Sequence, residues 1–150
     1  MMKNNRRSKS LKDSTPNPDS RDMKTTANDN FINISFKYFK DTDKSPAQSI
    51  STWSNEDRIL DMMLALKYIT SENITKVQST EKLSLYKKFP PKDKNDFSCP
   101  DDLQEDLNWG TIQNIGGQKS RIAGFLKGTT FYLVYLDRDH RFWITKPRNT

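Results

Sequence analysis

Residues 121–137 constrain the fold more than any other stretch. Arg121-Ile122-Ala123-Gly124-Phe125-Leu126 is followed by the tight-turn residues Lys127-Gly128-Thr129, and then by Thr130 to Asp137, a run rich in aromatic and β-branched side chains. Two such runs around a short interval containing glycine predict a β-hairpin. The second run has apolar side chains on both faces, which suits a central strand covered by helices on one side and other side chains on the opposite one. Upstream, residues 107–115 form a further candidate strand closed by Gly116-Gly117. Downstream, Arg138-Asp139 turns the chain and His140-Arg141-Phe142-Trp143-Ile144-Thr145 begins a final strand. This end of the chain is expected to be three or four antiparallel strands.

Ahead of it the periodicity changes. Over 31–39, Ile32, Ile34, Phe36 and Tyr38 alternate with Asn33, Ser35 and Lys37, predicting a strand with one buried face. Residues 41–51, with Pro46, read as a loop. Ser54 then offers a helix N-cap, with Glu56 and Asp57 in the first turn where the dipole favours acids, and Ser54-x-x-Asp57 approximates a capping box. Ile59, Met62, Met63, Leu66 and Ile69 recur at helical spacing, with the Met62-Met63 pair expected to fill core gaps. A second helix is expected over 74–86, stopped by Pro90-Pro91. The fold class is therefore α+β: an N-terminal strand, two helices, then a three- to four-stranded antiparallel sheet, in one domain over 31–150.

Residues 1–30 hold Leu11 and three methionines as their only large apolar side chains. Such a segment buries too little surface to offset the entropy of ordering it, so a disordered basic tail is expected. No apolar run approaches the roughly 20 residues that span a bilayer, and the N-terminal residues lack the apolar region of a secretory signal. Cys99 is the only cysteine, which excludes an internal disulfide and a cysteine-type metal site and fits a reducing cytoplasm.

The net charge of +6 is unevenly spread: seven basic against four acidic residues over 1–30, eleven against thirteen over 31–109, and seven against two over 110–150. A concentrated basic end is the footprint of a phosphate-binding face. The alternative is a solubilising surface. Asp101, Asp102, Glu105 and Asp106 could serve a metal or acid–base chemistry, but they sit in a proline-bounded stretch without histidine and read as a solvated loop. No Gly-rich phosphate loop, zinc spacing or nucleophile–base spacing is present, and neither metal nor cofactor is expected.

The informative constellation is Arg121, Lys127, Arg138, His140, Arg141 and Trp143, interleaved with Phe131, Tyr132, Tyr135 and Phe142. Antiparallel pairing brings such residues within about 5 Å of their cross-strand neighbours. Guanidinium groups and exposed rings on one face can clamp phosphates and stack bases, with Lys119 and Lys146 as flanking contacts. At least two of Tyr132, Tyr135 and Trp143 are expected in the core. His140 is the only histidine, and a neighbouring arginine would hold it neutral, as a general base requires. A histidine packed in a strand turn fits the same position.

The order strand, helix, helix, antiparallel sheet resembles the RelE/ParE toxin superfamily of bacterial toxin–antitoxin systems. Ser120-Arg121-Ile122-Ala123-Gly124-Phe125, Phe131-Tyr132-Leu133-Val134-Tyr135-Leu136 and Asp139-His140-Arg141-Phe142 are similar to that group's sheet signature. The resemblance implies endoribonucleolytic cleavage of messenger RNA, often on the ribosome, with a cognate antitoxin as partner. Carried over by position, Arg121 would hold phosphate, and His140 with Arg141 would form the proton-transfer or phosphate pair. The polar N-terminal stretch and the acidic loop before the sheet depart from the family's pattern. The other readings are a non-catalytic binding module or inhibitor encoded by a mobile element, using a basic sheet face to bind nucleic acid or a protein target, and a basic surface that only solubilises.

Overall fold

In the computed structural model, which describes residues 30–145, the chain runs β1 (Asn33–Ser35), α1 (Ile50–Asn55), α2 (Ile59–Ser71), α3 (Ile74–Ser79), β2 (Leu83–Leu85), a 3-10 turn (Lys92–Lys94), β3 (Asn108–Ile112), β4 (Arg121–Lys127) and β5 (Thr130–Asp137). The strands form one sheet in the order β1-β5-β4-β3-β2. β1 lies parallel to β5, and the remaining pairs are antiparallel. The α+β class is as expected. The finer expectation of two helices and a purely antiparallel sheet of three or four strands is corrected to three helices and a mixed sheet of five among the described residues. The stretch 1–29 falls outside the described residues.

The predicted hairpin forms as β4 and β5, with Lys127 opposite Thr130 across Gly128-Thr129. Gly128 sits at φ +63, a left-handed conformation that glycine adopts without steric cost. β5 carries one extra residue: Ala123 pairs with Tyr135 but Gly124 pairs with Leu133, leaving Val134 as a bulge whose carbonyl accepts a hydrogen bond from the Lys40 N–H at 2.8 Å. The extra residue reverses the alternation. Phe131, Leu133 and Leu136 enter the core under the helices, while Tyr132, Val134 and Tyr135 turn to the other face.

Several local expectations are corrected. The strand predicted over 31–39 is confined to β1, and Phe36 is left 46% exposed. Ser54 is not an N-cap but lies inside α1. The cap is Ser49, whose Oγ accepts from the Thr52 N–H at 3.1 Å, while Asp43 accepts from the Ser49 N–H and from both hydroxyls. Asp41 accepts from the Ile50 N–H at 2.8 Å, so two loop acids complete the helix start. Asp57, at φ +59, breaks the helix before α2. The helix predicted over 74–86 ends at Ser79, Glu81 turns at φ +61, and Leu83-Ser84-Leu85 joins the sheet edge. Met62 is core, but Met63 is 55% exposed.

The final strand predicted from His140 does not form. The Asp137 carboxylate accepts from the backbone N–H groups of Arg141 and Phe142 at 2.9 Å, and His140 turns the chain at φ +61. Residues 141–144 instead cross the second face of the sheet, held by Asp96 N–H to Arg141 O at 3.0 Å and Ile144 N–H to Lys94 O at 2.7 Å. Phe142 is fully buried there among Phe89, Phe97 and Trp109. Helices thus cover one sheet face around Trp53, Ile69, Ile112 and Leu136. An aromatic layer built from the 86–107 segment and the C-terminal crossing covers the other.

Candidate nucleic-acid interface

The crossing that buries Phe142 leaves Trp143 partly exposed near the sheet end where β4 begins and β5 finishes. Tyr86, fixed by Tyr86 N–H to Trp109 O at 2.7 Å and by its hydroxyl against Thr111 Oγ1 at 3.0 Å, stacks on the Trp143 ring with centroids 4.4 Å apart and planes 18° apart. Lys94, presented by the 3-10 turn, stands 5.4 Å over the same indole. Two rings in van der Waals contact, with a cation on one face, form a platform that resists bending away.

Arg121, the first residue of β4, pairs across the ladder with Asp137. Among the described residues its Nε is buried without a hydrogen-bond partner, and Nη2 makes only a 3.4 Å contact to the Gln118 carbonyl. Burial pushes the guanidinium pKa down, opposed by the charges of Tyr86 and Asp137. Burial also raises the Tyr86 phenol and lifts Asp137 to about 6 against the two N–H bonds that favour its charged form. His140 is held below its usual range first by burial, then by Arg121 and Lys119, partly offset by the Trp143 backbone. A neutral imidazole therefore stands beside an under-bonded guanidinium and an exposed lysine, next to a stacked aromatic pair. Such a set can hold a phosphate, stack a base and accept a proton.

Of the residues singled out in the sequence, Arg121, His140, Trp143 and Lys119 come together. The full convergence expected of the arginines does not occur. Arg138 reaches the helix side, pairing with Glu56 at 2.8 Å and Asp139 at 3.2 Å. The Arg141 side chain turns to Asp96 at 2.7 Å, although its backbone borders the site. Lys127 lies at the far end of β4, beside Tyr38 and Tyr132. Lys146 falls outside the described residues. The expected burial of two among Tyr132, Tyr135 and Trp143 is corrected: all three stay partly exposed, with Tyr132 and Tyr135 packed against the aromatic layer.

Sequence reasoning missed Tyr86, Lys94 and the buried Asp137. The apolar–polar alternation of Leu83-Ser84-Leu85 was the available signal for Tyr86, since it marks a strand end where a helix end was expected. Lys94 and Asp137 carried no local signal, because their positions depend on the crossing over the sheet. In comparisons with known proteins, the chain matches no family model, no curated protein and no solved structure.

Proposed function

We propose that this chain acts on RNA at the Tyr86–Trp143 platform, gripping single-stranded RNA and cleaving it with His140 and Arg121 in the manner of a RelE-like toxin. The observation that supports the reading is the neutral imidazole held beside an under-bonded guanidinium, at the foot of a stacked and partly exposed aromatic pair. In the reaction, His140 takes the proton of a ribose 2′-hydroxyl. The 2′-oxygen then attacks the adjacent phosphorus, and the 5′-oxygen leaves with a proton from a water molecule that the imidazolium replenishes, returning His140 to its neutral form. Arg121 stabilises the charge that develops on the phosphoryl oxygens. The products are a 2′,3′-cyclic phosphate and a 5′-hydroxyl end, and no metal is required.

A second reading, a binding module without turnover, is favoured by a separate observation. Arg138 and Arg141 are ion-paired with Glu56, Asp139 and Asp96, and the Asp137 carboxyl is fully buried, so none of the three stands free beside His140 as a second catalytic group. Inducible expression in a bacterium, with primer-extension mapping of RNA ends, separates the two. New 5′-hydroxyl ends that vanish with His140→Ala support cleavage. Tight, salt-dependent RNA binding with intact RNA ends supports the binder. Absence of both RNA binding and new ends overturns the RNA reading altogether.

A further inference from the structure

α2 buries Met62, Ala65, Leu66 and Ile69 against the sheet, and its opposite face is not polar. Leu60 is 70% exposed, Met63 55% and Leu64 54%. Single apolar residues on a surface are ordinary. Three at i, i+3 and i+4 on the solvent pole of one helix form a stripe, the usual form of a helix-borne interface. The stripe runs into a cleft of about 390 Å³, where Leu64, Ala65 and Tyr68 face the 114–116 turn.

Charge decides what fits there. Asp57 precedes the stripe and Lys67 follows Leu64; both are exposed, and neither makes an ion pair among the described residues. Asp57 turns the chain just before α2, and Lys67 stands about 12 Å along the helix from Ile59. The stripe is thus acidic at one end and basic at the other, and is self-complementary when two copies run in opposite directions. We propose that α2 packs antiparallel on α2 of a second copy, across a two-fold axis close to Met63. Leu60, Met63 and Leu64 then interleave at the centre, and Lys67 meets the partner's Asp57 at each end. A parallel arrangement would set like charges against each other.

The other occupants fit less well. Residues 1–29 offer only Leu11 and three methionines as large apolar side chains, with no helical spacing to match the stripe. An anionic membrane surface is disfavoured by Glu56, Asp57 and Asp61 around it. The inference stands independently of any action on RNA.

Sedimentation equilibrium of the full chain across the micromolar range tests it. The mass should rise with concentration from 17.5 kDa towards twice that value. Met63→Lys with Leu64→Lys should raise the dimer dissociation constant at least tenfold, with the helical circular dichroism and melting temperature retained because both side chains face solvent. Lys67→Glu should weaken association, and adding Asp57→Lys should restore it. Met63→Cys in a Cys99→Ser background should give a disulfide-linked dimer on mild oxidation. A single 17.5 kDa species throughout, or a dimer indifferent to the stripe substitutions, overturns the proposal. A monomer whose stripe is shielded by its own N-terminal residues overturns it equally.

Discussion

Arg121 and Asp137 are cross-strand partners at the open end of the β4–β5 hairpin. Yet the Asp137 carboxylate accepts its hydrogen bonds at 2.9 Å from the backbone N–H groups of Arg141 and Phe142, not from the guanidinium. The two charges divide the labour. Asp137 fastens the chain crossing that seats Phe142 and presents Trp143, while the Arg121 guanidinium, with its Nε buried, reaches only the Gln118 carbonyl at 3.4 Å among the described residues.

Burial raises the Asp137 pKa from 3.8 to about 6, so between those values the folded protein retains a proton that the unfolded chain releases. Stability from this group is therefore full below pH 4 and lost as pH rises through 6, a change of roughly 3 kcal/mol at most. Asp43 and Asp102, with lowered pKa values, oppose this trend in the wild type. The difference between wild type and Asp137→Asn isolates the effect. Urea unfolding at pH 4 and pH 7 should show the variant gaining relative to wild type as pH rises; parallel profiles would refute the assignment.

His140 is the only histidine, so its ring protons can be followed by NMR without assignment. Its pKa lies below the usual range because of burial first and the Arg121 and Lys119 charges second. Arg121→Gln should shift the midpoint upward, and Lys119→Gln should do so by less. Arg138→Gln should leave it unmoved, because that guanidinium is occupied by Glu56 and Asp139. An unchanged midpoint in Arg121→Gln would separate the two residues and dismantle the site.

What was legible in the sequence followed from local periodicity. The β4–β5 hairpin and the core positions Met62, Leu66 and Ile69 rest on side chains that alternate or recur within a few residues. What was illegible depends on distant partners. Ser54 looked like a cap because Asp57 stood three residues on, but Asp41 and Asp43 cap α1 from the preceding loop. A strand after Asp139 followed from the apolar run Phe142-Trp143-Ile144, whose pairing is pre-empted when Asp137 captures the Arg141 and Phe142 N–H groups. The spread of Arg138 and Arg141 likewise depends on Glu56 and Asp96, far away in sequence.

The arginines should consequently differ in RNA binding. Trp143→Ala removes a stacking ring, worth about 1–3 kcal/mol per base or roughly 5- to 150-fold in affinity, and Arg121→Ala should cost a similar amount. Arg138→Ala and Arg141→Ala break surface pairs that contribute only about 0–1 kcal/mol to stability, and should change affinity by no more than about twofold. Fluorescence anisotropy with a short single-stranded RNA reads all four. Equal losses at Arg138 and Trp143 would move the interface off the platform.

The bulge at Val134 is the feature on which this arrangement turns, and Gly124 tests it. A β-carbon at Gly124 would run into the Tyr132 carbonyl oxygen, which belongs to the backbone and cannot step aside. At Gly128 a β-carbon meets open space, and only the φ of +63 opposes it, about 1 kcal/mol. Gly124→Ala should therefore destabilise by about 3 kcal/mol or more, clearly exceeding Gly128→Ala in chemical denaturation. It should also act on the site. Were β5 drawn into regular pairing past Gly124 with every residue kept, strict alternation would turn Asp137 towards the helices and Leu136 away from them, reversing the faces on which both now lie. In whatever fraction of Gly124→Ala stays folded, Trp143 fluorescence and RNA affinity should be altered together. A variant that keeps wild-type stability would show that β4 and β5 can separate there without loss, contrary to the close approach of the Tyr132 carbonyl.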